Sequence, residues 1–224
     1  MGEDIGGRRE RRKAQTRAEV RATAQRLFAE RGFDAVTIAD VATAADVAVQ
    51  TVFNHFETKE ALFFDDRTPW VAGIAAAVAR RPPGTGPLAA MRTFLEADLT
   101  AQLELESGPE KRSYLEALSR SASLQAGERT LVEQAGDLVA RELTAAITAD
   151  TPGAPTPEVE VLSRLAADLF LVAGRVLVLD HRRYVLAAGP EELRRPVHST
   201  TTAALGMLED GVRTLASRLG VPVD

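Results

Sequence analysis

Apolar residues recur along this chain at helical spacing. Val20, Ala24, Leu27 and Phe28 fall at i, i+4, i+7 and i+8, one stripe of a helix whose other face is charged. That helix ends at Arg31-Gly32, glycine being suited to the left-handed position after a C-cap. Thr37-Ile38-Ala39-Asp40 reads as a capping box that opens a short helix with Ile38, Val41 and Ala42 turned inward. After a break at Ala45-Asp46, a third short helix is predicted over 48–55. Thr58 is the expected N-cap of a fourth, running through Leu62, Phe63, Trp70, Val71, Ile74 and Val78 toward Arg80.

Two loops rich in proline and glycine, 82–87 and 151–157, punctuate the remainder. Between them the pattern predicts helices near 87–105, 109–121 and 124–149. A strongly apolar helix follows over 157–181, then Gly189-Pro190, then a final helix near 197–218. No run of alternating strands separated by turns is present, so the predicted fold class is all-α.

Composition is that of an ordinary globular protein, with 45% apolar and 26% charged residues among 224. The formal charge of −5 argues against nucleic acid only while it is treated as uniform. Residues 8–33 hold nine bases against three acids, a net of +6, and the first 60 residues sum to zero. The whole −5 therefore lies in the remaining 164 residues. The absence of Cys excludes a disulfide scaffold, a thiolate metal site and a Cys nucleophile. With three His in all, a metal site is not expected. The N-terminal MGEDIGGRRERRK lacks the apolar core of a signal peptide, and Arg175 interrupts the most apolar run, Leu169 to Leu179. These features predict a cytoplasmic chain with no membrane partner.

Three short helices with a tight turn between the second and third describe a helix-turn-helix, whose second helix enters the DNA major groove. On a wheel of residues 48–56, Ala48, Val52 and Phe56 face the core while Val49, Gln50, Phe53 and Asn54 face out. Gln can pair bidentately with adenine, and an apolar side chain can meet a thymine methyl.

The ordered set Thr16-Arg17, Ala24, Leu27-Phe28, Gly32-Phe33, Val36-Thr37-Ile38, Val41-Ala42, Ala45-Asp46-Val47 and Thr51 through Leu62 resembles the DNA-binding domain of TetR/AcrR-type transcriptional regulators. The likeness covers residues 16–62, with 1–15 left as a basic arm and 63–224 as a second domain. It implies phosphate contacts from Thr37, Thr51, His55 and Lys59, and groove contacts from Val49, Gln50, Phe53 and Asn54. Arg17 is carried over with them as a DNA-binding residue. Four positions depart from the family pattern. Asp46 stands at the usual turn glycine, Ala48 at the N-cap serine, Gln50 at a small glycine and Phe53 at the usual tyrosine. Plainer readings stand beside these: a solvated basic tail, His55 as a packed structural residue, and Phe53 as core.

The resemblance implies that residues 63–224 form a helical bundle that binds a ligand and dimerises. The helix over 157–181 is apolar on most of its circumference, which independently suggests a buried partner, with the helix over 197–218 beside it. Together they would make a homodimer. Trp70, Phe94, Leu95, Tyr114, Leu118, Phe170 and Arg175 are the candidates for a pocket holding a small organic effector, with membership of the core as the alternative for each. Arg175 could equally form an ion pair with Asp168 or Asp180. No catalytic constellation and no cofactor motif is found: Gly84-Thr85-Gly86 lacks the Gly-Lys-Ser/Thr of a phosphate loop, and no Gly-x-Ser-x-Gly elbow occurs. The reading is a repressor released from a near-palindromic double-stranded operator by its effector. The alternatives are a helical small-molecule-binding protein or enzyme with a vestigial DNA-binding domain, and a DNA-binding scaffold without effector.

Overall fold

The structure of the chain, a computed structural model, describes residues 4–104, 109–150, 157–187, 194–221 and 223. Among them every regular element is a helix. The contacts divide the chain into two compact units, residues 1–68 with 113–127, and residues 69–112 with 128–224.

The first unit opens with α1 (Asp4–Arg31), α2 (Ile38–Ala44), α3 (Val49–Phe53) and α4 (Lys59–Phe64). The basic run set apart in the sequence as an arm is continuous with α1. Its Arg, Lys, Glu, Gln and Ala residues are strong helix formers, and Gln15 donates one turn on to Glu19 at 2.9 Å. The stripe Val20, Ala24, Leu27 and Phe28 is buried, together with Val41, Ala42, Val52, Phe56, Leu62 and Phe63. Phe28, Phe33 and Phe63 meet with centroids 5.1 to 5.8 Å apart in tilted and edge-on pairs. Tyr114 stacks flat on Phe63 at 5.0 Å, and the Ser121 hydroxyl donates to Asp34 at 2.9 Å. These contacts draw the later segment 113–127 into the N-terminal unit.

Local chemistry sets the element ends. The Thr37 hydroxyl accepts from the Asp40 amide, while the Asp40 carboxylate takes the Thr37 amide, a complete capping box. Those hydrogen bonds hold the Asp40 carboxyl below its ordinary pKa. Thr58 caps α4 by accepting from the Ala61 amide at 2.9 Å. Gly32 ends α1 at φ +84°, and Asp46 turns the chain between α2 and α3 at φ +52°.

The single helix expected over 58–80 does not form. It is split into α4 and α5 (Trp70–Ala79). Asp65 turns extended and Asp66 left-handed at φ +62°, and Pro69 disfavours a helical conformation at Thr68.

The second unit contains α5, α6 (Pro87–Glu104), α9 (Pro157–Ala187) and α10 (Arg194–Leu219). Helices α7 (Pro109–Arg120) and α8 (Ala122–Asp150) each supply residues to both units. Within the second unit α6 packs against α5, α9 and α10, and α9 against α10. The core includes Ile74, Met91, Val139, Leu143, Leu162, Phe170 and Leu205. Arg92 bridges Glu96 on its own helix and Glu209 on α10 at 2.6 Å, and Arg213 closes the network on Glu209 at 2.7 Å. Residues 151–156 and Gly189-Pro190 lie outside the described residues.

Candidate nucleic-acid interface and effector cavity

Helix α3 is short because its anchors are few. Val52 within it and Phe56 just beyond are fully buried, which leaves the opposite face free. On that face Val49 is 42% and Phe53 45% exposed, and Gln50 and Asn54 are exposed beside them. Phe53 is therefore not core. Gln50 donates to the Asn54 side-chain oxygen at 3.2 Å, joining the two amides one turn apart. The face offers amide donors and acceptors flanked by apolar groups, the chemistry needed to read adenine edges and thymine methyls. Ala48 sits at the N-cap in extended conformation with no side-chain bond to the helix.

The residues expected to touch phosphate are held by the fold in different ways. Thr37 is exposed, with its hydroxyl donating to Asp40 at 2.6 Å, and Thr51 is half-buried. Lys59 donates to the carbonyls of Phe33 and Val36, both at 3.0 Å, and its ammonium lies 4.2 Å from the Phe33 ring centroid. Two of its three donors thus clamp the loop that delivers Thr37. Arg17 donates to the His55 carbonyl at the end of the recognition helix and to Asp65 at 2.5 Å, with its guanidinium 4.2 Å from the Phe56 centroid. His55 is half-buried, and burial, Arg17 and Lys13 together push its pKa below the ordinary value.

Nothing in the sequence pattern assigns Asp65 and Asp66 a partner. Asp65 also takes Arg21 at 3.4 Å, and its carbonyl takes Gln25 at 3.1 Å, while Asp66 takes Arg21 at 3.1 Å. The end of α4 is thereby tied to α1 and, through Arg17, to the end of α3. A basic helix face followed some forty residues later by an acidic pair is the only signal the sequence offers for this.

The second unit contains a partly open cavity of about 60 Å³. Trp70 and Ile74 of α5, Leu95 and Leu99 of α6, and Leu171 and Val178 of α9 form apolar walls. Asp98, Glu128 and Arg175 are the charged groups in the lining. Of the seven pocket candidates the structure brings Trp70, Leu95 and Arg175 to this cavity. Phe94 instead packs on α5, where its ring would lie 2.3 Å from a Cβ on Gly73, so only glycine admits it. Phe170 is buried core, and Tyr114 and Leu118 belong to the N-terminal unit. Spacing could have found others, since Asp98 and Leu99 share a helix face with Leu95, and Leu171 and Val178 share one with Arg175. Of the two ion-pair partners expected for Arg175, Asp168 is taken by Arg164 at 2.8 Å, and Asp180 has no described side chain.

An exposed α3 on a small helical unit, followed in the chain by a second helical unit with its own apolar cavity, is the arrangement of a helix-turn-helix fold with an appended helical domain. The pattern of the bacterial regulatory proteins, tetR family, matches residues 20–65 of the chain. Over 93 residues it is 32% identical to the HTH-type transcriptional regulator TcmR of Streptomyces glaucescens, a match spanning 42% of this chain and 41% of that curated relative. The solved structure of Thermus thermophilus FadR, a TetR-family transcriptional repressor in complex with lauroyl-CoA, is 22% identical with a TM-score of 0.52, covering 86% of this chain and 92% of that one. A TetR-family structure from Mesorhizobium loti is 16% identical with a TM-score of 0.50, over 88% and 96%. The two likenesses show the same fold. Among the described residues no helix is long and apolar enough to cross a membrane.

Proposed function

We propose that the chain is a one-component transcriptional repressor of the cytoplasm, a homodimer that grips a near-palindromic operator and lets go when a small organic effector binds. The observation that carries this reading is the outward face of α3, where Val49, Gln50, Phe53 and Asn54 are exposed on a TetR-type unit. A two-fold dimer supplies the paired reading helices that a palindrome needs. The apolar cavity in the second unit supports an effector site.

Release requires only that the effector bind unequally to two conformations of the dimer. A rigid lever running from 58 to 80 does not carry the change, because the helix is interrupted at 65–69. The hub of Arg17, Arg21 and Asp65 places the end of α4 and the end of the recognition helix in one polar network. Movement of the segment leaving α4 would therefore be felt at His55.

The test is selection of genomic fragments by the purified protein, followed by anisotropy titration of the recovered sequence. The expected result is an inverted repeat bound with an affinity that falls steeply with salt. Recovery of random fragments, or binding that does not respond to changes in the repeat, would overturn the reading.

A further inference from the structure

We infer that the effector is an amphipathic organic anion whose acidic head group is received by Arg175, an inference that rests on reading the cavity as the effector site. The cavity is walled by aliphatic side chains and one indole, so the greater part of any occupant must be apolar. Its charged groups are not equivalent. Asp98 and Glu128 each have an interaction partner already. The Arg175 Nε is shut off from solvent and donates to nothing. The unmet hydrogen-bonding capacity in this lining is therefore a cationic donor.

The surroundings of Arg175 agree with this. It lies on α9 between Leu171 and Val178, which both face the same cavity. The nearest preceding acid on α9, Asp168, is held by Arg164, which also reaches Asp137 at 2.5 Å. No described carboxylate pairs with Arg175. A guanidinium offers Nε–H and an adjacent Nη–H side by side, a fork that fits the two oxygens of a carboxylate. A buried donor left without an acceptor is unfavourable, so a ligand that supplies one gains affinity that a neutral analogue of equal apolar area does not. Gly174 lines the same cavity, where an added methyl would stand in ordinary van der Waals contact with the Leu95 side chain at 3.4 Å.

Trp70 is the sole tryptophan of the chain and stands in the cavity wall, so its fluorescence reports occupancy directly. The experiment titrates the full-length protein with decanoate, decanamide and decyltrimethylammonium, which share a chain and differ in head-group charge. Trp70 emission and Tm are followed together. Decanoate is expected to bind roughly ten-fold or more tightly than the other two. Arg175→Met should remove that preference, bringing decanoate down to the affinity of decanamide, and Arg175→Lys should keep part of it. Equal or tighter binding of the amide or the ammonium, or decanoate binding that ignores Arg175→Met, overturns the anion assignment and leaves the cavity as an effector site. If none of the three moves Trp70 emission or Tm, the effector-site reading falls and this inference with it. The head-group comparison on the unmodified protein decides the matter even if a variant fails to fold.

Discussion

At position 48 the recognition helix begins on a residue that cannot cap it. Ala48 has the extended backbone of an N-cap and no side-chain oxygen, so an amide in the first turn of α3 lacks its usual partner. Ala48→Ser should raise unfolding stability by ~1 kcal/mol, read as a higher urea midpoint at unchanged m value. A neutral or destabilising result would mean that the first turn already finds another acceptor. His55 is tuned in the other direction. Its pKa is lowered in the folded chain by burial and by Arg17 and Lys13, so the unfolded chain binds the extra proton more readily. Stability from this residue is therefore full above ~6.5, its unfolded pKa, and is lost as pH falls through the lower folded value. Thermal melts from pH 7.5 down to 5 should show Tm falling less steeply in His55→Gln than in the parent chain. Matching slopes would remove His55 from the account. Caps and turns were legible from sequence because they act within three or four positions, as at Thr37, Thr58 and Gly32. The partner of Lys59 was not, since Phe33 lies 26 positions away and only the folded chain brings its carbonyl to the ammonium.

Between elements, what holds the recognition helix in place is a set of long side chains reaching from its neighbours. Arg17 spans 38 positions to the His55 carbonyl and also holds Asp65 and covers Phe56. Its family resemblance casts it as a DNA-binding residue, and its geometry gives it the work of an anchor. The two roles separate cleanly in a salt titration. Arg17→Met should lower stability by ~1–2 kcal/mol and weaken operator binding while leaving the slope of log affinity against log salt unchanged. A slope reduced by about one, with stability intact, would instead identify a phosphate contact. The helix break at 65–69 has the same long-range origin. Apolar periodicity continues from Leu62 and Phe63 to Trp70 and Ile74, so the pattern alone predicts one helix. The polar run Asp65-Asp66-Arg67-Thr68 before Pro69 marks the interruption. Asp65 and Asp66 are worth more as acceptors for Arg17 and Arg21 than as turns of a longer helix.

For the molecule as a whole, α9 explains why its sequence is apolar almost all round: it serves three surroundings at once. Leu162, Ala166 and Phe170 enter the core. Leu171, Arg175 and Val178 line the cavity. Val161, Leu165, Leu169, Val172 and Val176 point outward, with Val161 and Val176 each 57% exposed. On α10, which packs beside α9, Met207 is 76% exposed, and Leu215 and Leu219, one turn apart, are exposed as well. Apolar faces of this kind are covered in soluble proteins, and a two-fold partner covers both with the same surface. Most of these side chains are already about half-buried, so covering each would stabilise a pair by about 1 kcal/mol. The double substitution Leu169→Glu, Val172→Glu places carboxylates on this face and, by symmetry, opposes them to those of the other subunit. Sedimentation equilibrium should give twice 24.0 kDa for the parent chain and 24.0 kDa for the variant. Both altered positions are exposed in the single chain, so the variant should keep its helical circular dichroism and its Trp70 response to decanoate. Its operator affinity should collapse, because one reading helix cannot span two half-sites. A parent chain that sediments as a monomer, or a variant that stays dimeric, would place the interface elsewhere.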